Sequence, residues 1–304
     1  MDKLIKLIKK FKNPSVVGLD TKLEYIPQYI KDEAILKYGN NFKAASFAIL
    51  SFNKKIIDEI KEIVPAVKLQ MACYEVFGAE GIKALEETAK YAQSSGIYVI
   101  FDGKRNDIKS SMESYSRAYL GKTKLLNGEE VEAFSCNSLT VNLYLGKDTL
   151  APILNDCEKY GKTAFVLFKT SNPSSNDVQN IKTKENIKVF EKIGQICENL
   201  SKKTIGKFNY SKIGAVVGAT QKEELKSLRE MFPNTFFLIP GYGAQKGNAF
   251  DVSFAFKNGI GGIVNSSRKI LTSWQKNNIK EQNFAKQAKE EAIKMRDELN
   301  SYIN

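Results

Sequence analysis

Residues 97–108 have the sequence Ile97-Tyr98-Val99-Ile100-Phe101-Asp102-Gly103-Lys104-Arg105-Asn106-Asp107-Ile108. The first five are β-branched or aromatic, which predicts a buried strand that ends at Asp102. If the backbone stays extended beyond it, Asp102 and Lys104 project to the same side, because they are two residues apart, whereas Asp107 lies in the following turn. This stretch can therefore pair an ammonium group with carboxylates. A solvated loop between a strand and a helix is the alternative interpretation, since charged residues are common at protein surfaces.

The same pattern, a short apolar run followed by polar residues, recurs along the chain and alternates with helical periodicity. The runs lie at residues 16–20, 66–70, 97–102, 138–142, 164–168, 214–218, 235–239 and 261–265. Eight strands alternating with helices predict an α/β fold, a single (β/α)8 TIM barrel that occupies residues 1–304 as one domain. Residues 1–12 predict an extra amphipathic helix and residues 280–299 a C-terminal helix, while the Ser-, Asn- and Lys-rich residues 174–184 predict a mobile loop.

The chain is basic, with 46 Lys and Arg against 34 Asp and Glu and a formal charge of +12. Such a charge attracts phosphates, nucleic acids or membrane surfaces. The lysines are spread along predicted helices, which favours a solvated surface over a nucleic-acid patch. No apolar stretch is long enough to span a membrane. We therefore expect neither nucleic acid nor membrane as a partner.

The sequence contains no histidine, which excludes a Ser-His-Asp triad, a Cys-His pair, a histidine general base and a His-based metal site. Catalysis then has to use Lys and Asp. Four cysteines, Cys73, Cys136, Cys157 and Cys197, are widely separated. This spacing predicts reduced core thiols in a cytoplasmic protein rather than disulfides or a zinc site.

Polar residues follow most of the predicted strands, and a barrel would bring the carboxyl ends of those strands to one face. Those residues are Asp20, Lys68, Asp102 with Lys104, Ser171, Gln245 and Arg268. Lys68 lies inside an apolar run, where an unpaired ammonium is costly, so it faces either a site or an exposed edge. The glycine-rich turn of residues 241–243 and the guanidinium of Arg268 together predict a phosphate site.

Motifs spread over nearly the whole chain, in this order, resemble those of the orotidine 5′-phosphate decarboxylase family. They are residues 18–20, Lys68, residues 101–108, residues 140–142 with Tyr144 and Gly146, residues 169–173, 217–220 and 240–245, and Arg268. Leu143 stands where the family often has proline. The resemblance implies cofactor-independent decarboxylation of orotidine 5′-phosphate to uridine 5′-monophosphate, in de novo pyrimidine biosynthesis, with no metal.

The resemblance also implies roles for individual residues. Lys68, Asp102, Lys104 and Asp107 would form the catalytic network, in which Lys104 protonates the carbanion. The substrate-binding residues would be Asp20, Lys68 and Ser111 at the ribose, Ser171 at the pyrimidine edge, and Gly243, Gln245 and Arg268 at the phosphate. The family is dimeric, and Asp107, Ile108 and Ser111 would reach the active site of the second subunit. Association with orotate phosphoribosyltransferase is a further partner that the resemblance suggests.

Two other functions fit parts of the sequence. Metal-dependent sugar-phosphate aldolases and decarboxylases of the same barrel superfamily share the Asp-x-Lys-x-x-Asp pattern, but resemble enzymes with an acidic residue on the second strand, where this chain has Lys68. A cation in that position disfavours a magnesium site. A basic, non-catalytic nucleic-acid-binding barrel would also account for the net charge.

Overall fold

The computed structural model describes residues 1–243 and 247–303. Parallel strands close into a barrel in the order of the sequence, each paired with the strands before and after it and the last paired with the first. These strands are β1 Ser15–Gly18, β2 Ala66–Gln70, β3 Tyr98–Arg105, β4 Ser138–Val141, β5 Thr163–Lys169, β6 Ile213–Val217, β7 Phe237–Ile239 and β8 Gly262–Ser266. The predicted (β/α)8 barrel is confirmed.

Helices precede, connect and follow the strands of the barrel. They are α1 Asp2–Phe11, α2 Gln28–Tyr38, α3 Phe42–Ile60, α4 Ala72–Glu75, α5 Gly78–Ser94, α6 Lys109–Tyr119, α7 Leu150–Tyr160, α8 Asn176–Gln179, α9 Val189–Ser201, α10 Lys222–Met231, α11 Ala249–Ser253, α12 Arg268–Leu271, α13 Ser273–Lys276 and α14 Phe284–Ile303. Short 3-10 turns occupy Leu23–Tyr25, Lys147–Thr149, Pro173–Ser175, Lys202–Thr204 and Glu281–Asn283. Across the described residues, no helix is both long enough and apolar enough to cross a membrane.

The alternation of side chains along each strand produces two apolar layers. Val67 and Phe101 point outward and belong to the core between the sheet and the helices. Ala66 and Ile100 point inward and share a second core with apolar residues of α1, which closes the amino-terminal end of the barrel. Because side chains alternate with a period of two, Lys68 follows Ala66 and Asp102 follows Ile100 into the barrel interior. Two charged residues thereby reach the carboxyl end of the barrel.

Two sets of contacts stabilise the helices around the barrel. Helix α14 packs on α3, where the rings of Phe52 and Phe284 stack with their centroids 4.8 Å apart. The buried guanidinium of Arg229 in α10 donates hydrogen bonds of 2.7–3.3 Å to four backbone carbonyls, those of Phe232, Pro233, Ala255 and Gly261. Burial lowers the pKa of Arg229 to about 10, so the group remains cationic near neutral pH.

Several boundaries differ from the predicted ones. Strand β3 continues three residues past the predicted end at Asp102, to Arg105. Helix α2 and a small hairpin that pairs Thr123–Lys124 with Glu130–Val131 were not predicted. Residues 174–184, predicted to be a mobile loop, contain α8. Two hydrogen bonds hold this helix, one from the side chain of Lys169 in β5 to Asn176 and one from the backbone amide of Thr170 to Gln179. The prediction from composition fails for this segment because its Asn and Gln side chains act as internal hydrogen-bond partners.

Candidate active site

A cavity of about 550 Å³ opens at the carboxyl ends of the strands. This volume lies within the roughly 300–1,000 Å³ that is typical of small-molecule sites. The lining residues are Asp20, Lys22, Tyr25, Lys68, Gln70, Cys73, Asp102, Lys104, Thr170, Ser171, Asn172, Val216, Leu238, Pro240, Gly241, Tyr242, Asn265, Ser267 and Arg268. The cavity therefore brings together side chains from distant parts of the sequence, as the barrel prediction requires.

The floor of the cavity holds a continuous row of four charged groups. Lys68 Nζ lies 2.9 Å from Asp20 Oδ1 and 3.2 Å from Asp102 Oδ2. Lys104 Nζ lies 2.6 Å from the other oxygen of the same carboxylate, Asp102 Oδ1. Lys68 is only 2% exposed, whereas the side chain of Lys104 is 42% exposed. Of the two open interpretations of Lys68, the structure supports the one in which it faces a site.

Mutual attraction keeps the buried members of this row charged. Burial alone would raise the pKa of Asp102, but the ammonium groups of Lys68 and Lys104 and the hydroxyl of Thr140 hold it well below the ordinary value. Burial likewise opposes the charge of Lys68, yet the carboxylates of Asp20 and Asp102 raise its pKa above the ordinary value. The row thus combines a buried, permanently charged pair with a more accessible ammonium on Lys104.

A local irregularity of the backbone directs Lys104 at Asp102. The register between β3 and β4 shifts between Phe101 and Arg105, and Lys104 has a φ of +47°, in the left-handed region. Thr140 holds this conformation, since its hydroxyl accepts a hydrogen bond of 2.9 Å from the Lys104 amide and donates one of 2.8 Å to Asp102 Oδ1. The predicted pairing of Lys104 with Asp102 is confirmed, but the extended backbone on which the prediction was based is wrong.

Opposite this row, the wall of the cavity is formed by the residues that come directly after β5. It consists of Thr170, Ser171 and Asn172, and Thr170 donates a hydrogen bond of 2.6 Å to the amide oxygen of Asn172. Gly218, after β6, packs directly beneath Ser171, because a Cβ there would lie 2.8 Å from Ser171 Cβ and 2.9 Å from its backbone nitrogen. A glycine at this position therefore allows Ser171 to sit at the cavity surface.

The third side of the cavity is the predicted phosphate end. Gly241 and Gly243 form a turn with φ values of +97° and +75° after β7, and Arg268 begins α12 with an exposed side chain. Gly241 and Arg268 line the cavity, as does Asn265, whose Oδ1 has no hydrogen-bond partner among residues 1–243 and 247–303. Gly243 lies two residues beyond Gly241, at the edge of the turn. Gln245 lies outside the described residues.

Besides Gly243, three predicted site residues in the described part of the chain do not line the cavity. Asp107 lies between β3 and α6, where its Oδ1 accepts a hydrogen bond of 2.7 Å from the backbone amide of Ile108. Ile108 and Ser111 are exposed at the start of α6. The structure thus separates Asp107, Ile108 and Ser111 from the row that contains Lys104.

Sequence reasoning missed several residues of the site. Gln70 donates a hydrogen bond of 3.1 Å to Asp102 Oδ2, and its position two residues after Lys68 could have placed it in the cavity. Thr140 received no role, although it contacts both Asp102 and Lys104. Cys73 was predicted to lie in the core with the other cysteines, but it is only half-buried and lines the cavity, because it follows β2 on the short helix α4.

Several known proteins are similar to this chain over most of its length. The family described as "Orotidine 5'-phosphate decarboxylase / HUMPS family" matches residues 44–283. An orotidine 5′-phosphate decarboxylase of Clostridium tetani is 41% identical over 305 residues, covering 100% of this chain and 99% of the relative. One of Caldicellulosiruptor saccharolyticus is 39% identical over 304 residues, covering 100% of this chain and 98% of the relative. The crystal structure of Plasmodium berghei orotidine 5′-monophosphate decarboxylase shares the fold, with a TM-score of 0.77 at 21% identity, and the match covers 100% of this chain and 99% of that one. The chain belongs to the orotidine 5′-phosphate decarboxylase / HUMPS family.

Proposed function

We propose that this protein is a carboxy-lyase that converts orotidine 5′-phosphate to uridine 5′-monophosphate, in pyrimidine biosynthesis, without a cofactor. The observation that carries the proposal is the placement of Lys104. Its ammonium contacts an aspartate that Lys68 already holds ionised, and it is the exposed end of the charged row. Such an arrangement presents an acidic proton to the cavity beside a fixed negative charge, and the catalytic network requires no histidine.

In the proposed reaction the bond between C6 of the pyrimidine and its carboxylate breaks. CO2 leaves, the bonding electron pair stays on C6, and the Lys104 ammonium transfers a proton to C6. Lys104 then regains a proton from water. The positive charge of Lys104 stabilises the carbanion as it develops, because the row is fixed before the reaction begins. Lys68 holds Asp102 in place, and Asp102 in turn directs Lys104.

The remaining cavity residues bind the substrate in this proposal. Asp20 and Lys68 hold the ribose, Ser171 the pyrimidine edge, and Arg268 the phosphate together with Gly243 and Gln245. A guanidinium suits the phosphate because it forms two parallel charge-assisted hydrogen bonds. Contacts to the phosphate, remote from C6, supply binding energy that the reaction uses at C6.

We also propose that the protein acts as a homodimer, in which Asp107, Ile108 and Ser111 complete the active site of the other subunit. Asp107 lies outside the cavity of its own chain and contacts the amide of Ile108. The apolar side chain of Ile108, within this segment, is 58% exposed. A two-fold axis would place two such segments reciprocally. A cytoplasmic location, a single domain over residues 1–304 and association with orotate phosphoribosyltransferase stay predictions.

Mixing two inactive variants tests the shared site. In a dimer of Asp102→Ala with Asp107→Ala, one site carries both substitutions and the other carries neither. Random pairing of subunits should therefore restore about a quarter of the wild-type activity. If subunit exchange is verified and activity stays absent, Asp107 acts within its own chain.

The activity itself is tested by mixing the purified protein with orotidine 5′-phosphate and following the loss of its ultraviolet absorbance. We expect turnover that is undiminished after dialysis against a chelator. Loss of activity with the chelator would instead favour the metal-dependent members of the barrel superfamily. No turnover, combined with salt-sensitive RNA binding that uridine 5′-monophosphate does not affect, would favour the basic nucleic-acid-binding protein.

A further inference from the structure

Lys169, the last residue of β5, is a buried cation outside the charged row. The residue is 0% exposed, and its Nζ donates hydrogen bonds to neutral oxygens. These acceptors are Asn176 Oδ1 at 2.9 Å, Asn180 Oδ1 at 2.9 Å and Ser175 Oγ at 3.4 Å. All three lie on the segment of residues 173–180, which follows the cavity wall in the sequence and contains α8.

Burial lowers the pKa of Lys169, an effect that Lys188 increases and the carboxylate of Glu224 partly offsets. Burying an ammonium without a carboxylate partner is costly, whereas an apolar side chain would fill the same space at no such cost. The three acceptors nevertheless satisfy all three N–H groups of the ammonium. Lys169 therefore fills space at the end of β5 and also fixes where the following segment lies.

A second set of contacts connects that segment back to the cavity wall. Gln179, in α8, accepts a hydrogen bond of 3.0 Å from the backbone amide of Thr170 and donates one of 2.8 Å to its hydroxyl. Thr170 in turn donates to Asn172, on the far side of Ser171. Residues 170–172 are thus held directly by Gln179, which contacts Thr170, and indirectly by Lys169, which fixes the position of α8.

We propose that Lys169 is a positioning residue that clamps α8 against β5 and thereby sets the shape of the Thr170–Ser171–Asn172 wall, which determines affinity for the base of the nucleotide. The inference rests on the proposed function in assigning this wall to the pyrimidine. The ammonium touches neither substrate nor reacting atoms. Its effect reaches the ligand only through α8 and Gln179.

The test compares wild type with Lys169→Met, which keeps the length of the side chain and removes its charge and hydrogen bonds. Binding of uridine 5′-monophosphate and of ribose 5-phosphate is measured by calorimetry. We expect Lys169→Met to weaken uridine 5′-monophosphate binding about tenfold and to leave ribose 5-phosphate binding within about twofold, because only the base contacts the displaced wall. Hydrogen exchange should become faster at residues 172–180. Lys184→Met, which changes an exposed lysine of the same region, is the matched control and should behave as wild type.

Gln179→Ala provides a second variant in case Lys169→Met does not fold. It removes two hydrogen bonds from a half-buried position and leaves the buried ammonium satisfied, so we expect the same selective loss for the base-containing ligand. The proposed clamp would be overturned if both ligands lost affinity equally, or if no folded variant lost affinity for either ligand. If wild type binds ribose 5-phosphate as tightly as uridine 5′-monophosphate, the uracil base contributes no affinity, and the proposed function fails instead. Unchanged hydrogen exchange at residues 172–180 in Lys169→Met would also reject the clamp, whatever the ligand.

Discussion

Replacing Lys68 by Met removes the ammonium between two carboxylates in the barrel interior. At an effective dielectric constant of about 20, its attractions to Asp20 at 2.9 Å and Asp102 at 3.2 Å are each on the order of 5 kcal/mol. Desolvation of the buried ion offsets several kcal/mol of this sum. Because Asp102 would remain buried with a single cation, we expect the free energy of unfolding at pH 7 to fall by about 3–5 kcal/mol.

The pH dependence of this loss follows from Asp102 and Lys68. The pKa of Asp102 in the folded protein lies below its unfolded value of about 3.9, so its stabilising contribution is present above that pH and is lost as the pH falls. The pKa of Lys68 is raised above its ordinary value, so its contribution is present below about pH 10 and is lost only above it. The difference in the free energy of unfolding between wild type and Lys68→Met should therefore be constant from about pH 6 to 9 and should narrow below about pH 4.

Urea unfolding of both proteins across this pH range measures the effect, with Lys90→Met as the control. Lys90, whose side chain is 65% exposed, pairs with Glu86 at 3.2 Å, so its replacement should cost less than about 1 kcal/mol. The double variant Lys68→Met/Asp102→Asn should recover part of the loss, because it removes the buried carboxylate charge that Lys68 no longer balances. A loss below about 1 kcal/mol for Lys68→Met, or no recovery in the double variant, would refute the reasoning.

Three other variants test separate parts of the structure. Arg268→Ala should weaken binding of uridine 5′-monophosphate by about 1.5–3 kcal/mol and leave uridine binding unchanged, since only the phosphate loses a charge-assisted contact; equal losses in calorimetry would place Arg268 elsewhere. Gly218→Ala should raise KM for orotidine 5′-phosphate by about tenfold, because the added Cβ displaces Ser171; an unchanged KM would show that the wall tolerates the shift. Arg229→Met should lower the free energy of unfolding by about 3–5 kcal/mol without changing KM, because it removes the four hydrogen bonds that the buried guanidinium donates. A smaller loss in urea unfolding would contradict this.

The strand pattern explains how much of the site could be predicted. Alternation within β2 and β3 sends Lys68 and Asp102 to the same side as Ala66 and Ile100, so a barrel with both charges at its mouth follows from local sequence. Helix α2 could not be predicted in this way, because its apolar residues do not share one face. Ile30 is buried, whereas other apolar side chains of α2 are exposed.

Other parts of the site depend on tertiary contacts that no local pattern encodes. The left-handed backbone of Lys104 depends on Thr140, which is 36 residues away in the sequence. The segment after Ser171 has the composition of a mobile loop, yet Lys169 orders it from the end of β5. The position of Asp107 outside its own cavity depends in the same way on the path of the chain between β3 and α6.

The central claim is that Lys104 donates the proton to C6, and turnover of orotidine 5′-phosphate by Lys104→Ala tests it most directly. General acid catalysis contributes about 10²- to 10⁴-fold, and Lys104 also stabilises the carbanion, so we expect the rate to fall by at least about 10³-fold while the melting curve shows a folded protein. A control variant, Lys90→Ala, changes an exposed lysine on α5 and should turn over the substrate at the wild-type rate. A folded Lys104→Ala protein with a rate within about tenfold of wild type would contradict the account.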